Sequence, residues 1–552
     1  MSKYVIGLDY GTLSGRAVVA DVSNGDILAQ SVMDYPHGLI EQSLPCGTPL
    51  PPDFSLEDPR DYYDVLVTVV PDAVKQAGID PRDVIGIGLD VTSSTFLPVG
   101  EGSTPLCTLP EFSSRPHAWM KMWKHHGAQS HADRITALMN RDGEPFADRV
   151  GRLVNSEWML PKLLEIYEDD PAVFDAARSF EEAGDWLVHI LTGNETRSAG
   201  PFGYKLMRSA DDDAPNRDFL ERLSPGFGVL YDKLGGNVLP LGSRAGTLTV
   251  EMASVLGLIP GISVAVANID AHVAYPSVGR VASDAMVLII GTSCCDLLCS
   301  ENFRYVPGVS GIVKDGIMPG LYGYEAGQSA VGDIFDWFIK NCVPKSVYDE
   351  AGSEGIGVHD LLTRQASALV PGQSGLIALD WWNGNRSCLA DSRLRGLILG
   401  LGLDTRPCEI YRALLESAVY GLYEIINTFQ DHGVPVGDLY ACGGIAHKNP
   451  FLMQLYADIT GRRVYIARSD QAPALGSAIH AAASAGESAG GYSDIYSASA
   501  AMGGCEEKCF VPDKDNNALY ARLYNEYHIL HDHYGRGGND VMKRLLEIKN
   551  RT

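Results

Sequence analysis

Val5-Ile6-Gly7-Leu8-Asp9-Tyr10-Gly11-Thr12-Leu13-Ser14-Gly15-Arg16-Ala17-Val18-Val19-Ala20-Asp21 decides how the rest of the chain is read. An apolar run ends in an aspartate, turns at Gly-Thr and continues as a second apolar run, which is the pattern of a β-hairpin. Gly11 lets the backbone come close to a ligand, and Thr12 adds a hydroxyl donor. Successive N–H groups in such a turn form a concavity that suits a phosphate. Asp9 stands where it could hold a metal ion or its water against that phosphate. Taken alone, an ordinary hairpin explains the stretch equally well.

The pattern returns at Met286-Val287-Leu288-Ile289-Ile290-Gly291-Thr292-Ser293-Cys294-Cys295-Asp296-Leu297-Leu298, about midway along the 552 residues, where an internal duplication would place it. Two such phosphate clamps, one from each half, resemble the actin/hexokinase/heat-shock ATPase architecture. The resemblance implies an α/β fold of two duplicated ribonuclease-H-like domains, residues 1–279 and 280–552, with the nucleotide in the cleft between them.

Composition sets the bounds. A chain of this length exceeds one ordinary core, and 45% hydrophobic with 20% charged residues is the balance of a soluble globular protein. Asp and Glu number 69 against 44 Lys and Arg, a formal charge of −25. That charge argues against nucleic-acid or anionic-membrane partners. The 11 cysteines are odd in number and form no CxxC pair, as expected of reduced thiols in a cytoplasmic protein. Met1-Ser2-Lys3-Tyr4 leads straight into a strand, so no signal peptide is expected. No uncharged apolar run approaches the roughly 18 residues of a membrane span.

Along the chain, residues 59–78 read as a helix stopped by Gly78, and residues 84–90 as a buried strand ending in the polar turn Thr92-Ser93-Ser94-Thr95. Polar residues beyond such a strand often face a ligand crevice, although a hydroxyl-capped turn would look the same. Trp119 and Trp123, four apart, suggest one face of a helix. His125, His126 and His131 lack the i, i+4 spacing of a helical zinc site. Residues 156–192 read as helices, and Lys205 falls in a loop rich in Gly and Tyr. A strand over 262–267 delivers Asn268-Ile269-Asp270 to the interdomain region, where Asp270 is either a catalytic base or a helix N-cap. A long helix is expected from about 408 to 432. A strand at 438–442 then runs into Gly443-Gly444, with Asn449-Pro450 starting the next helix. Together they suit a nucleotide, since a helix N-terminus favours anionic groups. Residues beyond 484 read as an Ala/Ser/Gly-rich stretch and then a packed helical C-terminal appendage over about 517–549.

No P-loop or protein-kinase motif occurs. An ATP cleft with a carboxylate at a strand end therefore points to phosphoryl transfer onto a hydroxyl. GLDYGTLSGRAVV at Gly7, NIDAHVA at Asn268, IIGTSCCDLL at Ile289 and ACGGIAHKNPFLMQLYADITGRRV at Ala441 together resemble the FGGY family of carbohydrate kinases over nearly the full length. LPEFSSRPHAWMKMWKHHGAQ at Leu109, FEEAGDWLVHILTG at Phe180, GYKLM at Gly203 and GYEAGQSAVGDIFDWF at Gly323 are most similar to its members acting on a 2-ketopentose, L-ribulose above all.

The resemblance implies a role for each matched position. Gly11, Thr12 and Arg16 would bind the ATP phosphates, with Gly291 and Thr292 clamping from the other side. Asp9 would act on Mg²⁺ through water. Gly443, Gly444 and Asn449 would line the adenosine pocket. Asp270 would take the proton of the sugar hydroxyl, while Ser94, Lys205 and Glu325 would contact the sugar. Relatives acting on glycerol carry Gln after the catalytic Asp, where this chain has Ala271, and an Arg-Glu pair in place of the 92–95 turn. Both departures speak against glycerol and for a ketopentose. Leu13 and Gly15 replace hydroxyl residues, so phosphate contacts there would be backbone only. D-ribulose and D-xylulose remain alternative substrates, and a homodimer is left open. A non-catalytic actin- or chaperone-like ATPase would share the clamps without needing Lys205 or Glu325.

Overall fold

The computed structural model describes residues 2–208, 215–279 and 283–551. The boundary expected after residue 279 falls at 280–282, outside those described. In the first half, β1 (Tyr4–Tyr10), β2 (Ser14–Asp21), β3 (Ile27–Asp34), β4 (Val84–Val91), β5 (Arg244–Thr247) and β6 (Ser263–Ala265) form a sheet in the order β5-β6-β4-β1-β2-β3. In the second, β7 (Met286–Ile290), β8 (Cys294–Ser300), β9 (Gly311–Lys314), β10 (Tyr322–Gln328), β11 (Leu439–Cys442), β12 (Val464–Ala467) and β13 (Cys505–Phe510) take the order β9-β10-β8-β7-β11-β12-β13.

The two sheets repeat one plan. Each central strand turns back as an antiparallel hairpin, β1 with β2 and β7 with β8, and a third strand adds antiparallel to it. On the other side lie a parallel pair, β4-β6 or β11-β12, and an antiparallel edge, β5 or β13. The central strands are buried almost throughout, as the continuous apolar runs require of strands covered on both faces.

Helix Pro59–Ala77 starts at the side-chain cap of Asp58 and stops at Gly78, whose φ of 64° needs no Cβ. Helix Pro407–Asp431, close to the expected range, buries Leu414, Ala418, Leu422, Ile425 and Phe429 along one face. The chain between β4 and β5, joined by the segment around Leu56–Glu57 that follows β3, builds a separate lobe. Its small sheet orders Leu56–Glu57, Met120–Lys121, Phe96–Val99 and Ser179–Glu182, and Phe96, Trp158, Leu163 and Phe174 belong to its core.

Four expectations need correction. Trp119 and Trp123 share no helix, because Pro116 starts a single 3₁₀ turn and Met120–Lys121 then pairs as a strand with Leu56–Glu57. Within 156–192, Ser179–Glu182 is a strand, fixed by pairing with Phe96–Val99. Lys205 closes the helix Ala199–Lys205 rather than lying in a loop. In the tail, Cys505–Phe510 is a strand, β13, which completes the second sheet; the expected packed helix follows as Lys514–Gly535 and buries Tyr520 and Tyr527 in the second core. All 11 cysteines are free. No helix among the described residues is long and apolar enough to cross a membrane.

Helix Ala472–Ala485 belongs to the second half by sequence but lies across the first sheet. A Cβ on Gly7 would strike the Ala474 carbonyl, one on Gly88 the Ser477 carbonyl, and one on Gly86 would lie 2.6 Å from the Ala481 oxygen. Backbone therefore rests directly on backbone. Gly88→Ala should lower unfolding free energy by about 1–3 kcal/mol, as overpacking does. Gly352→Ala, in a helix where an added Cβ meets nothing within 4 Å, should leave it unchanged or slightly raised. Denaturant melts of both variants check this.

Candidate active site

Three parallel strands end side by side at the cleft. Asp9 on β1 is in register with Asp90 on β4, and Asp90 with Asn268 of the short strand Asn268–Ile269. The carboxyl ends of such strands are where α/β sheets bind ligands. Burial raises Asp9 above the usual carboxylate range, against the pull of Arg16 and a hydrogen bond with Asp90. Asp90 is pushed well above that range by its burial and then by Asp9, while Ser477 Oγ of the crossing helix donates to its Oδ2 at 2.6 Å. Asp270 is the first residue of the short helix Asp270–Val273, whose N-cap is Ile269, so it does not serve as the cap. Its Oδ1 accepts from Ala271 N at 2.7 Å. Burial, and then the charge of Asp9, push its carboxyl up to about 7.

The first Gly-Thr turn is closed by Gly11 N donating to Ser14 O at 2.9 Å. Thr12 Oγ1 accepts from Trp123 Nε1 at 3.2 Å, so the lobe touches this loop. Arg16 stands over Asp9, Nε to Oδ2 at 3.3 Å, and donates from Nη1 to Gln471 Oε1 at 2.9 Å. The second turn is closed by Gly291 N donating to Ser293 O at 2.9 Å. Its carbonyls accept from the start of helix Gly332–Cys342 and the residue before it: Gly291 O from Gly332 N at 3.1 Å, Thr292 O from Val331 N at 2.8 Å. Gly291 and Thr292 themselves stay exposed.

Gly443 has φ 96°, and a Cβ there would lie 2.5 Å from Ile290 O, so this turn requires glycine. At Gly444 a Cβ would meet nothing within 4 Å, which leaves a bare surface against which a flat ring could lie. Asn449 Oδ1 caps helix Pro450–Thr460 through Leu452 N at 3.0 Å, and its amide N–H groups make no hydrogen bond among the described residues.

Lys205 and Glu325 come from opposite halves and are already joined, Nζ to Oε2 at 3.0 Å and to Oε1 at 3.1 Å. His272 Nε2 adds a contact to Glu325 Oε2 at 2.8 Å. Burial works to raise the Glu325 carboxyl, but Lys205 and His272 outweigh it and hold the carboxyl well below its usual range. The charges of Glu325 and Lys205 both reach Asp270. Ser94 is buried with φ 57°, and its Oγ has no partner among the described residues.

Asp90, His272, Gln471 and Trp123 were not expected at the site. Asp90 was the legible one, an aspartate closing an apolar strand just as Asp9 does. The other three depend on contacts between distant segments. The histidines of the lobe are taken up locally, His125 by Glu165 at 2.8 Å, His126 by Ser156 at 3.2 Å and His131 by Glu168 at 3.3 Å. The crowded carboxylates at the strand ends fit a divalent cation, since their mutual repulsion would be relieved by one. The open glycine turns fit a polyphosphate.

Comparison with known proteins places the chain in a family. The model of the FGGY carbohydrate kinase N-terminal domain matches residues 4–275, and that of the C-terminal domain matches 286–485. A protein named ribulokinase from Anoxybacillus flavithermus is 49% identical over 549 residues, 99% of this chain and 97% of that protein. One of the same name from Mycolicibacterium smegmatis is 47% identical over 551 residues, 99% and 96% of the two chains. Among solved structures, a gluconate kinase from Lactobacillus acidophilus superposes with a TM-score of 0.78 at 18% identity, covering 97% of this chain and 99% of that one. A xylulose kinase from Rhodospirillum rubrum does so at 0.77 and 22% identity, covering 96% and 98%. At such identities the structures speak for the fold alone. Two domain models in tandem and full-length relatives near half identity leave one conclusion: the chain belongs to the FGGY family of carbohydrate kinases.

Proposed function

We propose that the protein phosphorylates L-ribulose with ATP, giving L-ribulose 5-phosphate as a step of L-arabinose catabolism, with Asp270 as general base. The full-length relatives named ribulokinase support the sugar. The observation that carries the mechanism is Asp270 half-buried beside Asp9, with a carboxyl pushed up to about 7. A general base works best with a pKa near the working pH.

In this reading the ATP phosphates lie between the two Gly-Thr turns, held by the N–H groups near Gly11 and Gly291 and by Arg16. Adenosine rests on Gly443-Gly444 near Asn449. Asp9, with Asp90 behind it, would hold a hydrated Mg²⁺, which neutralises charge on the phosphates. Lys205, Glu325 and Ser94 orient the sugar. The proton of its terminal hydroxyl passes to Asp270 as the oxygen bonds the γ-phosphorus and the bond to ADP breaks.

The test is ADP release over the four 2-ketopentoses, ribitol and glycerol, with L-ribulose expected to give the highest kcat/KM. Preference for D-xylulose or D-ribulose would reassign the sugar. ADP release indifferent to every sugar would sink the kinase reading.

Asp270→Asn should keep ATP binding and lose turnover by about 10²–10⁴-fold, the usual contribution of a general base. Turnover of the wild type should rise with pH through about 7 as Asp270 ionises. Stability runs the other way. A carboxyl raised from 3.8 to about 7 on folding stabilises fully below about pH 4 and ceases to do so as pH rises past 7. Melting of Asp270→Asn should therefore gain on the wild type between pH 5 and pH 8, by roughly the linkage slope of one group.

Glu325→Gln removes the negative partner of Lys205. Charge-assisted hydrogen bonds contribute about 1.5–3 kcal/mol each. Sugar affinity should fall correspondingly while ATP affinity, read by titration without sugar, stays within twofold or so. Equal losses for both ligands would remove Glu325 from the sugar site.

A further inference from the structure

Lys162 lies on helix Met159–Asp169 of the inserted lobe with its side chain wholly buried. Its Nζ donates to two main-chain carbonyls, Met122 O at 2.6 Å and Ser94 O at 3.2 Å, and burial pulls its pKa down to about 7. Among the described residues no carboxylate stands within ion-pair range of it, and Glu157, Glu182 and Glu165 act only from further off. Lys121, buried nearby, shows the ordinary alternative: its Nζ sits 2.9 Å from Glu165 Oε2. Burying an ammonium against neutral carbonyls alone is costly, and a core that needed only filling would use an apolar side chain there.

What those carbonyls belong to gives the arrangement its purpose. Ser94 is a non-glycine residue with φ 57°, a conformation that the surrounding structure has to enforce. In the same turn Thr92 and Thr95 satisfy each other, hydroxyl to hydroxyl at 2.7 Å, which leaves Ser94 Oγ as the buried hydroxyl with no partner. The turn follows β4, whose end carries Asp90 beside Asp9. The second carbonyl, of Met122, precedes Trp123, whose indole N–H reaches Thr12 of the first Gly-Thr turn. One Nζ thus ties the turn bearing Ser94 to the segment that touches the expected phosphate loop.

We propose that Lys162 is a positioning residue for sugar recognition: without touching the sugar, it fixes the Ser94 turn, and with it the buried, unpartnered Ser94 hydroxyl, at a set place relative to the first Gly-Thr turn. The proposal rests on the reading of Ser94 as a sugar contact. Lys162→Met keeps the stem and removes both donors. Lys162→Gln keeps an amide donor on a shorter arm.

The experiment is steady-state kinetics with L-ribulose and ATP varied in turn, on Lys162→Met, Lys162→Gln, Ser94→Ala and the double variant Ser94→Ala/Lys162→Met. Each protein is first shown to melt cooperatively. Should Lys162→Met fail to fold, Lys162→Gln carries the same comparison. The expected result is a rise in sugar KM of about tenfold for Ser94→Ala and for Lys162→Met, the scale of one neutral hydrogen bond, and a smaller rise for Lys162→Gln. ATP KM should stay within about twofold, and the double variant should be no worse than the worse single one, because one residue acts through the other. Ser94→Ala impaired with both Lys162 variants at wild-type sugar KM overturns the proposal and leaves the sugar site standing. Independent, multiplying effects also overturn it. Ser94→Ala with unchanged sugar KM overturns the reading of Ser94 itself, and the proposal with it.

Discussion

Direct contact between the backbone of helix Ala472–Ala485 and the first sheet is the constraint on which the rest of the molecule depends. Gly7, Gly86 and Gly88 open the groove, and small residues on the helix fill it. The same helix supplies Ser477 to Asp90 and follows Gln471, which holds Arg16. Seating the helix therefore also sets the acidic edge where the expected phosphate loop and the expected base meet. Two halves with separate sheets become one site because a piece of the second is built into the first.

Electrostatics are arranged by the same packing. Asp9, Asp90 and Asp270 crowd one edge in low-dielectric surroundings, and their carboxyls are all raised. A short distance away Glu325 is held down by Lys205 and His272. Environment alone separates carboxylates suited to accept or share a proton from one suited to remain charged.

Much of this was legible in the chain. The two hairpins showed because an apolar run, Gly-Thr and a second apolar run can hardly be read otherwise, and their repetition carried the duplicated fold. Asp270 showed because it ends a short apolar run. Other features were hidden for physical reasons. The Trp119–Trp123 spacing suggests a helix, but pairing of Met120–Lys121 with Leu56–Glu57 overrides that local signal. β13 reads Cys-Glu-Glu-Lys-Cys-Phe, with no alternation, because an edge strand has little to bury. Helix Ala472–Ala485 looks like a low-complexity stretch, although its alanines and glycine are what a backbone-to-backbone contact demands. Lys162 is one lysine in an amphipathic helix, and nothing local reveals that it points inward.

The acidic edge has one more consequence. Near neutral pH Asp270, pushed up to about 7, keeps a proton for part of the time where a free aspartate would have shed it. A cation bound at this edge would favour the ionised carboxyls, so loading it would release acid into the medium. Affinity for such a cation then climbs with alkalinity, and the heat of binding carries the ionisation heat of whatever buffer takes up the protons.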